Sequence, residues 1–166
     1  TAGEELEGVL RHPSVGRPLL IRAGVVDSVP KSVAFRLLEP AVRLPEAPRI
    51  VCKEGKLGDL LSELGMHRLD IVIADGPMPA GSSIKGYSHL LGECGQTFFA
   101  TAKLAKKHKG PFPRNLDGAP FLLHGEDAMV RVRLLRWFEE QQVSPRIVGE
   151  FDDGALLKAF GQVGIG

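Results

Sequence analysis

Cysteine is scarce in this sequence of 166 residues, which contains only Cys52 and Cys94. One pair cannot build the disulfide scaffold of a small secreted protein, and with no Cys-x-x-Cys spacing or Cys/His cluster a structural zinc site is not expected. Long apolar runs are missing as well. None approaches the roughly 20 residues that span a bilayer, and the opening TAGEELEGVL is acidic where a secretion signal would be basic and then greasy. No membrane partner and a cytoplasmic location are therefore expected. Neither sign of charge is in excess. The 21 Lys and Arg against 20 Asp and Glu leave a net charge of +1, which gives no electrostatic case that the chain as a whole grips nucleic acid.

Several catalytic signatures are lacking. The chain has no Gly-x-Ser-x-Gly elbow, no phosphate-binding loop, no His-Glu-x-x-His pair, and no Gly-x-Gly-x-x-Gly after its first apolar run. The terminal GQVGIG follows a helical stretch and is not a dinucleotide fingerprint. No catalytic residue and no cofactor are expected. What is present is an ordinary globular composition, 43% hydrophobic and 25% charged, long enough for one domain or two small ones.

The apolar run LLIRAGV at 19–25 predicts a strand, and Asp27-Ser28-Val29-Pro30 predicts a helix start, with Asp27 or Ser28 as cap and Pro30 in the first turn. Val33, Leu37, Leu38, Ala41 and Val42 then fall on one helical stripe over 31–44, with Pro40 ending or kinking the helix nearby. The unit repeats. RIVCK at 49–53 reads as a strand, Leu57, Leu60, Leu61 and Leu64 follow at helical spacing, Gly65 supplies the stop, and LDIVIA at 69–74 reads as a third strand that turns at Asp75-Gly76-Pro77. Strands separated by helices predict a parallel sheet covered by helices.

Residues 76–92, rich in Gly, Pro and Ser, read as a crossing between two such series. In the second, 97–101 and 120–125 are strand candidates, and the charged stretch between them reads as a surface loop with room for a short helix. Residues 126–142 predict a helix with Val130, Leu134, Trp137, Phe138 and Gln141 on one side and Glu126 and Asp127 at its positive start. A strand at 145–151 and a helix through Ala155, Leu156, Ala159 and Phe160 follow. Residues 162–166 read as the opening of another strand, and a helical scrap at 4–10 reads as the end of a preceding element. Both ends therefore suggest a chain truncated from a longer one.

These residues carry a resemblance. VCKEGKLGDLLSELGMHRLDIVIAD at 51–75, GVVDSVPKSVAFRLLEPAV at 24–42 and EFDDGALLKAFGQVGIG at 150–166 resemble the effector-binding, or regulatory, domain of LysR-type bacterial transcription regulators. Within that family, the Asp-Ser-Val-Pro-Lys passage and the Ala-Asp-Gly-Pro-Met-Pro turn look most like the sodium/proton antiporter regulator subgroup. The resemblance implies an α/β chain of two Rossmann-like subdomains flanking a hinged cleft, like type II periplasmic binding proteins. It divides the chain into a linker-helix remnant and lead-in at 1–18, an incomplete subdomain I at 19–94 and a subdomain II at 95–166. It further implies a homo-oligomer, a small-molecule or ion effector, and DNA contact only through an N-terminal helix-turn-helix outside this sequence.

In such sheets ligands bind beyond the carboxyl ends of parallel strands, where helix N-termini offer free N–H groups. By that rule the effector-binding candidates are Ser28 and Val29, Lys56, Asp75, Ala100 and Thr101, His124 and Gly125, and Phe151 and Asp152. A serine in this place is more commonly a plain cap, a lysine at a helix start is often merely solvated, and a histidine at a strand end is more often structural than a sensor. Asp27, Asp75, Asp152 and Asp153 are the carboxylates to inspect for a cation, although each is more commonly a cap or turn residue. Cys52 and Cys94 read as buried, inert thiols rather than a redox pair. KLAKKHK at 103–109, with no aromatics interleaved, reads as a solvated segment rather than a nucleic-acid patch. Trp137 with Phe138 is most simply core. Helices 31–44 and 126–142 are the expected oligomer surfaces.

Two other readings stand beside the regulator. A solute-binding protein of a transport system would share the fold, but a secretion signal is not visible. An enzyme would need a motif that the sequence does not show.

Overall fold

The computed structural model describes residues 19–166, so the expected linker remnant at 1–18 lies outside the described residues. Strand β1 (Leu20–Val26) leads to helix α1 (Lys31–Val42), β2 (Arg49–Gly55), α2 (Leu57–Gly65) and β3 (Ile71–Ile73). The three strands form a parallel sheet in the order β2-β1-β3. The central strand is apolar throughout its second half because both its faces are covered: Ala23, Val25 and Val26 are buried. Gly24 allows the closest packing. A Cβ there would come within 2.8 Å of Leu69 Cδ1 and 3.2 Å of Leu60 Cδ2, so the missing side chain is what lets α2 settle on the strand. Leu60, 1% exposed, anchors the core with Val25, Val29, Ala34, Leu69 and Ile73.

Helix α1 departs from the expected stripe. Its buried line runs through Ala34, with Leu38 packed against the core, while Val33, Leu37 and Val42 are exposed. Its N-cap is Pro30, with no side-chain hydrogen bond, so neither Asp27 nor Ser28 caps it. The helix passes through Pro40 and stops two residues later, where Arg43 N–H donates to the Pro40 carbonyl. Strand β3 is shorter than the apolar run suggests. Leu69 N–H turns back to the Glu63 carbonyl, and the Asp70 carboxylate accepts from Arg22 N–H at 2.7 Å, taking the ladder position a further strand residue would have held.

The second sheet contains β4 (Pro120–His124) and β5 (Arg146–Phe151), parallel, with a register shift between Phe121 and Leu122. Helices α3 (Ala102–Lys107), α4 (Met129–Gln141) and α5 (Gly154–Gln162) accompany it. Residues 97–101 do not form the expected strand. Phe98 instead turns into an aromatic cluster, stacked on Trp137 at 5.4 Å between ring centroids and tilted against Phe112, Phe121 and Phe138. Thr101 becomes the cap of α3, its hydroxyl accepting from Leu104 N–H. The expected strand at 162–166 is also absent: α5 runs to Gln162, and Gly164 N–H bonds back to the Gly161 carbonyl in a turn.

Helix α4 begins three residues later than its charge pattern suggests. Ala128 N–H closes a turn onto the Gly125 carbonyl, leaving Glu126 and Asp127 in the turn rather than the helix. Phe138 is its buried residue, and Val130, Leu134 and Trp137 are half-buried beside it, as the expected stripe requires, whereas Gln141 is exposed. Among the described residues no helix is long and apolar enough to cross a membrane.

Candidate functional site

The tips of β1, β2, β4 and β5 face one another. Between them lies a narrow crevice lined by Val26, Asp27, Ser28, Lys56, Leu57, Gly125, Asp127, Ala128 and Asp152. Its inner volume of ≈ 20 Å³ is room for about one water molecule. Asp27 is held there by its backbone, whose N–H donates to the Gly55 carbonyl at 3.1 Å. Gly125 N–H does the same to the Phe151 carbonyl at 2.8 Å. A Cβ on Gly125 would fall 1.7 Å from Asp152 Oδ1, so only glycine leaves that carboxylate its place.

Two contacts join the two sheet units here, one across the crevice and one beside it. Lys56 Nζ and Asp127 Oδ2 pair at 2.5 Å, both side chains more than half exposed. The Asp127 hydrogen bond and charge, with Asp152 adding to them, hold the Lys56 ammonium above the ordinary lysine range. Beside this pair, Asp75 Oδ2 accepts from Met129 N–H at 3.1 Å, so a carboxylate at the end of β3 supplies the first turn of α4 with the cap its own Ala128 cannot give. Gly76 packs under the same methionine, where a Cβ would lie 3.1 Å from Met129 Cγ.

Ser28 is the singular polar group of the crevice. Its hydroxyl oxygen is buried and has no hydrogen-bond partner among the described residues, a condition costing on the order of 1–3 kcal/mol. His124 Nδ1 is likewise buried and unpartnered. Burial lowers the His124 pKa from its ordinary 6.5, partly opposed by the Asp75 charge. The ring lies beside Gly154, where a Cβ would stand 3.8 Å from His124 Cε1.

The structure thus brings together Asp27, Ser28, Lys56, Gly125 and Asp152 and sends the other sequence candidates elsewhere. Val29 is in the core, 5% exposed, and Phe151 packs on Phe160 at 4.9 Å. Ala100 is exposed and the Thr101 hydroxyl is engaged as the α3 cap. Asp75 spans to Met129 without lining the crevice. Asp153 caps α5, accepting from Ala155 and Leu156 N–H at 2.7 and 2.8 Å, and these bonds lower its pKa. Asp27, Asp75, Asp152 and Asp153 do not converge: among the described residues no three His, Cys, Asp or Glu side chains are grouped to hold a metal ion. Sequence reasoning missed Asp127 and Ala128. The available signal was their position just past the β4 tip, obscured by assigning them to a helix. Cys52 and Cys94 are exposed rather than buried; partial burial and Glu54 raise the Cys52 thiol pKa against the opposing charge of Lys31.

The family model described as the LysR substrate binding domain matches residues 19–166. The chain belongs to that family. This LysR domain is 37% identical over 143 residues to the transcriptional activator protein NhaR of Escherichia coli (strain K12), an alignment covering 86% of the chain and 46% of NhaR. The chain thus spans about half the length of that relative, and the identity agrees with the antiporter-regulator subgroup that its Asp-Ser-Val-Pro-Lys passage at 27–31 and Ala-Asp-Gly-Pro-Met-Pro turn at 74–79 resemble. Among solved structures, it is similar to the CcmR regulatory domain of Synechocystis PCC6803, solved in complex with 2-PG, with a TM-score of 0.60 and 18% identity over 89% of this chain and 69% of that one. HinK, a LysR family transcriptional regulator from Pseudomonas aeruginosa, matches with a TM-score of 0.55 and 14% identity over 99% of this chain and 57% of that one. The parallel α/β architecture of the LysR domain is the type II periplasmic-binding-protein-like fold of these regulatory domains.

Proposed function

We propose that this LysR domain is the effector-sensing and oligomerisation module of a bacterial transcription regulator. Residues 19–94 form its subdomain I and residues 95–166 its subdomain II. A small effector enters the crevice between the strand tips, and its preference for one crevice geometry shifts the population of subdomain arrangements. That shift passes through contacts between copies to a helix-turn-helix outside this sequence, which reads the operator. The observation that carries the reading is the Ser28 hydroxyl, buried and unpartnered in a crevice bounded by four strand tips. Buried polar atoms normally find partners, so a lone one on a residue that lines a crevice supports a ligand that completes it.

The effector classes to distinguish are a monovalent cation such as sodium or lithium, a proton, or a small carboxylate, the last entering only an arrangement with a wider crevice, because the present inner volume of ≈ 20 Å³ holds about one water molecule. The crevice offers the separate carboxylates of Asp27 and Asp152 to a cation, with no three such groups gathered around one point among the described residues, and Lys56, now paired with Asp127, to a carboxylate. Support for oligomerisation comes from α1, whose Val33, Leu37 and Val42 are apolar and exposed. Helix α4 is the second surface by position.

Thermal-shift titration against sodium, lithium, pH and small carboxylates tests the reading. A ligand at a hundred times its Kd stabilises the folded state by about 2.7 kcal/mol, roughly 5–10 °C for a chain of this size. We expect such a rise with one class and its loss in Ser28→Ala. Equal rises in wild type and Ser28→Ala would place the ligand elsewhere and overturn the crevice assignment.

A further inference from the structure

The described chain holds a second feature unconnected with the crevice. From Cys94 to Leu116 there is no Asp or Glu, while Lys103, Lys106, Lys107, Lys109 and Arg114 all fall there, in a chain of net charge +1. Among the described residues none of these five cations forms an ion pair. The fold also aligns them. Lys103, Lys106 and Lys107 stand at i, i+3 and i+4 on α3, hence on one face, and all three are exposed, while Thr101, Leu104 and His108 are half-buried on the opposite side.

The sequence showed no aromatics among these lysines, but the structure brings rings to both flanks. Phe99, just before α3, is 74% exposed, and Phe112, just after it, is 58% exposed. Phe112 also stacks on Trp137 at 5.7 Å and 26°, and Phe98 stacks on the same indole. The basic face is therefore fastened at both ends to α4 instead of riding on a free loop. Arg133 lies one helical turn before Trp137 on α4 and is exposed as well.

We propose that this α3 face is a docking surface for the phosphate backbone of duplex DNA. Lysines are point charges on flexible stems that meet phosphates without reading bases, so contact here is independent of sequence. Five such contacts give only weak binding alone. Tethered to an operator-bound domain, however, the face meets DNA at an effective concentration in the millimolar range. Only that tethering rests on the regulator reading; binding by the chain itself does not.

The test is fluorescence anisotropy of a random-sequence 30-base-pair duplex titrated with the chain at several salt concentrations. We expect a Kd of about 10–100 µM at low salt and a slope of log K against log salt of about −4 to −5. Lys103→Gln/Lys106→Gln/Lys107→Gln should weaken binding at least tenfold at low salt and make the slope shallower by about 2.7. A matched triple of exposed cations outside this stretch, Arg36→Gln/Arg68→Gln/Lys85→Gln, should leave both nearly unchanged. No detectable binding, equal loss in the two triples, or tighter binding to poly-glutamate than to DNA at matched salt would each overturn the proposal. Ser28→Ala should bind the duplex like wild type, so failure of the effector reading and failure of this one are separately visible.

Discussion

The Asp75 carboxylate accepts the Met129 backbone N–H at 3.1 Å, across 54 positions of sequence. Helix α4 therefore begins properly only when the β3 tip of one sheet unit stands against it. A cap usually lies within a residue or two of the helix that it serves. Here it reports the spacing between two sheets, which ties the capping of a helix to the closure of the crevice beside it.

Asp75→Ala should destabilise the chain by about 1 kcal/mol, the usual cost of a lost cap, seen as a midpoint lowered by roughly 2–4 °C in calorimetry. Asp75→Asn keeps an acceptor oxygen and should lose less. Equal losses would mean that charge rather than the hydrogen bond does the capping.

Ser28→Ala removes a buried hydroxyl that nothing in the described chain satisfies. Without ligand, the variant should be as stable as wild type or up to about 1 kcal/mol more stable, because no hydrogen bond is lost and an unmet polar group is removed. Denaturant midpoints without ligand check the sign. A loss above about 1 kcal/mol would show that Ser28 serves the fold rather than a ligand.

Gly125→Ala forces Asp152 away, since the new Cβ would meet Oδ1 at 1.7 Å and Cγ at 2.9 Å. A cost of about 1–3 kcal/mol is expected, as for other overpacked positions. Because the clash is mainly with a side-chain end, Gly125→Ala/Asp152→Ala should recover at least half of it. A double-mutant cycle measured by chemical denaturation gives the coupling directly.

His124 sets a pH dependence. Burial lowers its folded pKa below the ordinary 6.5, so the unfolded chain takes up the proton first as pH falls. The associated stability is fully present above about pH 6.5 and declines from there down to the folded pKa. His124→Gln should flatten the stability profile in that window, and melting midpoints taken from pH 7.5 to 5 test it. Asp153 acts in the more acidic range: its N–H bonds lower its pKa from 3.8, so its contribution is complete above that value and lost as pH falls through the folded pKa.

Much of the first sheet was legible because its signals are local. The apolar run at 19–25, leucines at helical spacing in α2 and the Asp-Gly-Pro break after β3 each need only a short window. The second unit was harder to read for a physical reason. Residues 97–101 have the β-branched and aromatic content of a strand, but Phe98 finds Trp137 and Phe112, distant in sequence, and that packing outweighs the local preference. The late start of α4 has the same origin, with Asp127 drawn to Lys56 and Asp75 supplying the cap from afar. The strand-tip rule placed Asp27, Ser28, Lys56, Gly125 and Asp152 at the crevice. It could not separate them from Val29 and Phe151, whose side chains turn into cores, because a tip residue's facing depends on the element that packs over it.

Amide hydrogen exchange with and without the stabilising ligand most directly tests whether the strand tips hold the effector. Exchange should slow together at Val26–Val29 and at Gly125–Met129, on both sides of the crevice. Protection confined to one side, or centred instead on the open groove along β2 and α2 from Lys53 to Arg68, would contradict the account.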